Sequence, residues 1–376
     1  MPGHIKEIRK GYYRIVVEAG KDPITGKRRR IIRHHKGKKA DAEALMIKLL
    51  AQLEQGTYLE ASKATVAEWM KEWLEQYKKP VIRPKTYDLY SWATEAYIIP
   101  AIGHIPLQKL QPHHLQRLYN SIRSNNKSTR LVHLVHQLLY GALKQAKRSR
   151  LIQDNVAEAT ELPRMQKKEI RALTLEEQDA FLRTLAGHQL GTAFMLALGT
   201  GLRRGELLGL HWEDIDFGEG ILHVKRNVVY VRGQGILVQP PKTEKGNRTV
   251  PIPKLVLKML EGHRERLKEQ GLFKEDGPVF PNSNGSYIYP DNFERTFRKL
   301  RKEAGIEDIN LHALRHTFAT RLLELGEDLK VVQELLGHAR IGITADIYTH
   351  VTNKLKKRAV EKLDQVLNLG TNWAPK

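Results

Sequence analysis

From Thr65 onward, apolar residues recur at three- and four-residue spacings (Val66, Trp69, Met70, Trp73, Leu74, Tyr77), a period that fits one face of a helix and excludes a half-buried strand. The same pattern predicts helices from Pro84 to about Tyr97, after Gln111-Pro-His113, and from Ser128 to Ser149, the last ending in the basic Lys144, Lys147, Arg148 and Arg150. Such helices hide their apolar faces against one another, so residues 61–165 read as an all-helical bundle domain. The chain before them follows another rule. Tyr12 to Val17 reads as a strand, Asp22-Pro-Ile-Thr-Gly26 as a turn and Arg28 to His34 as a returning basic strand. A helix over Ala40 to Leu53 places Ala44, Leu45, Ile47, Leu49 and Leu50 on a face able to cover one side of a small sheet. Residues 1–60 are therefore expected to form a compact β-sheet-plus-helix module. After the polar stretch from Asp154 to Lys168, a capping box at Thr174-Leu-Glu-Glu177 opens a new helix and sets a third domain over 166–376. A chain of 376 residues exceeds one hydrophobic core, in keeping with this division.

Charge narrows the partner. Lys and Arg outnumber Asp and Glu by 63 to 42, a net charge of +21 that implies a large polyanion. The first forty residues hold 13 of these cations against 3 acids, almost half of the whole excess. Arg28, Arg29, Arg30, Arg33, Lys36, Lys38 and Lys39 are the candidate DNA contacts of that module. No apolar run reaches the roughly 18 residues of a membrane span, so nucleic acid is preferred over a lipid surface. The absence of cysteine excludes disulfides, thiol nucleophiles and thiolate zinc sites. Met1-Pro-Gly-His-Ile-Lys6 lacks the apolar core of a secretory signal, and the expected location is the cytoplasm, at the nucleoid.

Four short segments of the C-terminal half carry candidate chemistry. Thr200-Gly-Leu-Arg-Arg-Gly-Glu-Leu-Leu-Gly-Leu210 joins a glycine turn to a helix and puts Arg203 near a helix N-terminus, where N–H groups favour an anion. Pro241-Lys-Thr-Glu-Lys-Gly-Asn-Arg-Thr-Val-Pro251 lies between strands predicted at Ile236–Gln239 and Arg248–Ile252, which puts Lys242 on a β-hairpin, with Lys245 the alternative lysine. Leu311-His-Ala-Leu-Arg-His-Thr-Phe-Ala-Thr320 sets His312, Arg315 and His316 at helical spacing. His312 and His316 are spaced as in zinc helices, but no Glu follows His312, so no metal site is expected. Leu335-Leu-Gly-His-Ala-Arg340 and Thr344-Ala-Asp-Ile-Tyr-Thr-His350 contribute His338 and Tyr348. Taken singly these residues have plain readings: a surface cation, a loop lysine, a half-buried aromatic.

Together, Arg203, Lys242, the His312-x-x-Arg315 pair, His338 and Tyr348, with Glu206 beside the first, stand in the order and approximate spacing of the tyrosine recombinase family. Over residues 170–352 the chain resembles that family's catalytic core, and its upstream layout resembles phage-type integrases with three domains. One departure is Gly205, where many relatives carry a small hydroxyl residue. The fold implied is multidomain α+β: an arm-type DNA-binding module, a helical SAM-like core-binding domain, and a mainly helical catalytic domain with a small antiparallel sheet.

The chemistry suits these residue types. A phosphodiester repels nucleophiles through its charged oxygens, and planar guanidinium groups such as Arg203 and Arg315 can hold those oxygens bidentately. A tyrosine hydroxyl with a pKa near 10 needs a cationic surround to attack. The resemblance implies that Tyr348 forms a 3′-phosphotyrosyl bond, that Lys242 is the general acid, that His312 assists proton movement, that His338 holds a non-bridging oxygen and that Glu206 orients a guanidinium. It also implies double-stranded DNA with core and arm attachment sites, a homotetramer on two duplexes, and an excisionase and a DNA-bending protein as candidate accessory partners, in integrating and excising a mobile element or prophage. No cofactor is expected, since no Walker loop or acidic metal cluster is present. A tail helix bearing Leu355, Ala359, Leu363 and Val366 packs on its own domain in one reading and on a neighbouring subunit in the other. The alternatives are a type IB topoisomerase, which the arm module disfavours, and an inactive DNA-binding protein, which has no need of the constellation.

Overall fold

The computed structural model describes residues 3–21, 26–55, 58–60, 62–165, 171–241, 244–338 and residue 360. The chain divides into two compact units, Met1–Gln166 and Lys167–Lys376. The first holds two separate apolar cores. Its N-terminal part is a meander of β1 (Gly3–Arg9), β2 (Tyr12–Lys21) and β3 (Arg28–Lys36), paired antiparallel in chain order and covered on one face by α1 (Lys39–Glu54). Strand β1 adds to the two strands expected from the sequence. Register pairs Ile5 with Ile15 with Arg33 across the three strands, so residues of that row share a face. Tyr13, Ile15 and Val17 pack there against Ala42 and Leu49, with Leu45, Met46, Leu50 and Leu53 at the margin. The apolar face of α1 differs from the expected one: Ala44 and Ile47 point to solvent, because the 3.6 period runs through Ala42, Leu45, Met46, Leu49 and Leu53.

The second core is helical. Thr65 caps α2 (Val66–Glu72) through a reciprocal box with Glu68, and the helix continues through Lys78 in wider turns. Next comes α3 (Pro84–Ala93), joined through another wide turn to α4 (Ile99–Ile102); Pro100 has no N–H to donate there, and the wide turn accommodates it. Pro112 opens α5 (Pro112–Ser124), and Ser128 caps α6 (Thr129–Arg148) by accepting from Leu131 N–H. Trp69, Trp73, Leu115, Val135 and Leu139 are sealed between these helices, and Trp69 Nε1 donates to Ala142 O at 2.9 Å.

The second unit opens with α7 (Leu175–Leu185), capped by Thr174 and Glu177 as predicted, followed by α8 (Gly191–Thr200) and the short α9 (Arg204–Leu208). Two small antiparallel sheets come next. β4 (Ile215–Asp216), β5 (Ile221–Val224) and β8 (Arg248–Pro251) form one, and β6 (Asn227–Val231) with β7 (Gly235–Gln239) the other. The predicted strands exist, but they do not pair with each other as a hairpin: β7 pairs with β6 and β8 with β5. Pairing follows the apolar face, since Leu222 and Val224 lie opposite Val250 and Arg248 over the core. The rest is helical: α10 (Lys254–Glu269), α11 (Pro290–Glu303), α12 (His312–Leu325) and α13 (Leu329–Leu336).

This core is centred on Phe181, Phe194, Phe293 and Phe297; Phe194 stacks on Phe293 with centroids 4.6 Å apart and is fully buried. Truncating it leaves a cavity that fixed neighbouring helices cannot close. Phe194→Ala is expected to lower the stability of the second unit by about 3–5 kcal/mol, read from its urea transition.

Candidate active site

Three arginines from three different elements converge on one helix end. The last turn of any helix leaves carbonyls without intrahelical donors and at the negative end of the dipole. At the end of α13, Leu335 O accepts from Arg248 Nε at 2.6 Å, Leu336 O from Arg315 Nη2 at 2.5 Å, and Gly337 O from Arg203 Nη2 at 3.2 Å. Gly337 stops the helix at φ +62°, and a Cβ there would lie 2.6 Å from Lys245 O, so both conformation and space require glycine. The next residue, His338, is buried, with its carbonyl tied to Gln333 Nε2 at 3.0 Å.

Arg203 is the residue before α9, and Glu206 reaches back to it twice, accepting from its N–H at 3.0 Å and from Nη1 at 2.7 Å. The second Glu206 oxygen also accepts from Arg248 Nη2 at 3.0 Å. Burial alone would raise this carboxyl; Arg248 and Arg203 outweigh it and hold the group ionised, below its ordinary value. Arg315 comes from the first turns of α12, is 3% exposed, and donates through Nη1 to Gly201 O at 2.7 Å. Its buried Nε has no partner among the described residues. Burial and the charge of Arg203 bring its pKa down to about 9. Among the described residues, three guanidinium groups thus face a single carboxylate, and the surplus is cationic.

The histidines respond to that surplus. Burial, then Arg315 and Arg203, lower His338 to about 3. His312, the first residue of α12, keeps solvent access at the mouth of the site while protein crowds its other sides; that crowding and Arg315 lower it to about 4. Both rings are neutral at pH 7 and can accept or donate one hydrogen bond each. His316 follows on the same helix, half-buried. Lys245 lines a cleft with Arg248, Gln333, Gly337 and His338. Lys242, Tyr348 and the predicted tail helix lie outside the described residues. The structure therefore brings together Arg203, Glu206, His312, Arg315 and His338 of the predicted set. Gly205 is explained by crowding: a Cβ there would lie 2.7 Å from Val228 O on β6, leaving no room for a hydroxymethyl group.

The basic residues of the N-terminal module separate onto two faces. Arg29 and Arg33 turn to the helix side, where Arg29 pairs with Glu60 at 2.6 Å and Arg33 donates to Tyr58 OH at 3.0 Å. Arg28, Arg30 and Lys36 lie on the open face with Lys6, Arg14 and His34, although Arg30 is paired with Glu18 at 2.7 Å. Lys38 and Lys39 are exposed at the start of α1. The two-residue period of β2 and β3 puts Arg14 and His34 on this face, while Lys6 joins them through the pairing of β1. Among the described residues no cluster of three or more His, Asp or Glu could hold a metal, and no helix is long and apolar enough to cross a membrane.

Residues 163–354 match the family model described as the phage integrase family, and residues 65–123 match its N-terminal SAM-like domain. A tyrosine recombinase XerC-like protein of Caldanaerobacter subterraneus is 34% identical over 95% of this chain and 97% of its own length. The chain belongs to the phage integrase family of tyrosine recombinases. As such it is a tyrosine-type site-specific recombinase. The ICEBs1 integrase of Bacillus subtilis is 26% identical over 96% of this chain and 100% of its own. Among solved structures, the Tn1549 transposon integrase in complex with a circular intermediate DNA superposes with TM-score 0.67 at 21% identity, covering 79% of this chain and 99% of that one. A lambda integrase tetramer bound to a Holliday junction gives 0.60 at 21%, covering 92% and 94%. These likenesses show that the recombinase shares the integrase fold.

Sequence reasoning assigned Arg248 only to a strand. Its signal was alternation: Val250 faces the core, so Arg248, two residues earlier, must face it as well. Low pH bears on the site through the histidines. Their folded pKa values lie below the ordinary 6.5, so the unfolded chain binds protons first, and the stability they carry is full above pH 6.5 and lost as pH falls towards about 4 for His312 and about 3 for His338. His338, sealed from water, carries more of this than His312. The fall in Tm between pH 7.5 and pH 5 is expected to be smaller in the double variant His312→Asn, His338→Asn than in wild type. His114, His136, His211 and His263, also depressed, are common to both proteins, and equal slopes would remove the two site residues from the account.

Proposed function

We propose that the recombinase cleaves and rejoins DNA through a 3′-phosphotyrosyl intermediate in which Tyr348 is the nucleophile and the α13 cluster is the phosphate-binding site. The observation that carries this reading is the surplus of fixed cationic donors around Arg315, whose buried Nε has no partner among the described residues. A scissile phosphate supplies the missing negative charge, and it gains more as its charge builds in the pentacoordinate transition state. Arg203 and Arg315 hold the non-bridging oxygens, and neutral His338 donates a further hydrogen bond. The Tyr348 oxygen forms the new bond to phosphorus as the P–O5′ bond breaks. The phenolic proton leaves towards His312, and Lys242 protonates the departing 5′ oxygen. Rejoining is the reverse, with the 5′ hydroxyl as nucleophile, and it conserves the phosphoester so that neither ATP nor a divalent metal enters the balance.

The DNA is double-stranded, with the second unit and the helical bundle on the crossover site and the open face of the β1–β3 sheet on a separate arm site. Relatives named for an ICE and for a transposon support a mobile element as the natural setting, and the lambda assembly supports a tetramer on two duplexes. An excisionase and a DNA-bending protein remain candidate accessory partners, and a cytoplasmic, nucleoid-associated location fits this reading.

Nicked duplexes carrying the element's own attachment sites test the chemistry. Wild type is expected to give a denaturation-resistant protein–DNA adduct without metal or ATP, and Tyr348→Phe to bind the same DNA without forming it; an adduct in the variant would displace Tyr348. For the arm face, Lys6→Glu with Arg14→Glu is expected to weaken arm-duplex binding at least about tenfold at 0.1 M salt and to flatten its salt dependence, whereas Arg29→Glu leaves the slope unchanged. A reversed order in an electrophoretic titration would place the DNA on the other face.

A further inference from the structure

Arg248 occupies a place where a strand ordinarily carries an aliphatic side chain. It lies opposite Val224 on the core face of β8, two residues from buried Val250, and its side chain is 7% exposed. A charge there loses its water, and a buried ion pair is a poor source of stability compared with an apolar side chain of the same size. Its hydrogen bonds indicate another role. Nε reaches Leu335 O at 2.6 Å, Nη1 reaches Gly246 O at 3.2 Å, and Nη2 reaches Glu206 at 3.0 Å. Each partner leads to a group of the site: Glu206 holds Arg203 twice, Leu335 stands three residues before His338, and Gly246 follows Lys245, which lines the cleft with His338. The planar fork of arginine suits a three-way tie, whereas the point charge of lysine does not.

Resting on the recombinase reading of this site, we propose that Arg248 is a positioning residue: it fixes Glu206 and the last turn of α13 in one register, and through them aims Arg203 and His338 at the scissile phosphate. Arg248 does not itself touch the DNA. Its loss leaves Glu206 with Arg203 alone and releases Leu335 O, so the two sides of the phosphate site shift independently. A misplacement of about 1 Å in such a site is enough to cost about a hundredfold in rate.

The test uses the full chain in single-turnover adduct formation at saturating DNA, on two nicked duplexes that differ only at the scissile linkage. One carries the natural phosphodiester. The other carries a methylphosphonate, whose methyl group replaces a charged oxygen and so removes much of the demand for aimed cations. Arg248→Gln is expected to slow the phosphodiester by about a hundredfold, to leave duplex Kd within about threefold, and to slow the methylphosphonate far less. Arg248→Lys, which keeps the charge and loses the fork, gives the same selective loss and serves if Arg248→Gln lacks a native thermal transition. Equal slowing on both linkages in a folded variant, or no slowing at all, overturns the proposal, because general loosening does not discriminate between linkages. A wild-type chain that forms no adduct on either duplex overturns the recombinase chemistry beneath it, a result separable from the others because it needs no variant.

Discussion

The acceptance of three guanidinium groups by three successive carbonyls at the end of α13 is the interaction on which the site depends. Like charges at such spacing repel strongly in a medium poorer than water, and only fixed negative ends nearby make the gathering tolerable. The helix end supplies those, and Glu206 supplies the one full negative charge. Among the described residues the compensation is partial: three cations, one anion. What the protein leaves unbalanced is the place of its ligand, and the two flanking histidines, held neutral, add no further repulsion before the ligand arrives.

Holding such a cluster demands rigidity from the surroundings. Arg203 is fixed by the turn into α9, Arg315 by burial in α12, and Arg248 by the sheet. Behind them the aromatic core of Phe181, Phe194, Phe293 and Phe297 clamps α7, α8 and α11, while Ala319 and Leu323 of α12 meet Val332 and Leu336 of α13. Packing energy from these apolar clusters offsets the desolvation of the charges. The chain thus separates two tasks, with side chains of the core stabilising and side chains of the rim left frustrated for chemistry.

Much of this was legible in the sequence because the decisive signals are local. The capping box at Thr174 and the three- and four-residue apolar spacing that starts at Thr65 mark helices without knowledge of their neighbours. The grouping of Arg203, His312, Arg315 and His338 was legible through motif order alone, not through geometry. What escaped is non-local. Strand β8 could pair with β7 or β5 on local pattern, and only the shared apolar face of Leu222 and Val224 decides it. The basic strand β3 was read as one charged surface, although alternation sends Arg29 and Arg33 to one side and Arg28, Arg30 and Lys36 to the other. Arg248 escaped for the same reason: two of its three partners lie 42 and 87 residues away.

Because the acceptors on α13 are backbone atoms, no substitution along that helix deletes them. Its side chains serve the Asp328 cap at one end, the apolar contact through Val332 and Leu336, the Gln333 bond to His338 O, and the glycine stop. Its length is another matter, since adding or removing one residue turns every following carbonyl by about 100° about the axis. Sequence drift in this helix is therefore cheap and insertion is ruinous, so the element records its function in how many residues it has more than in which ones.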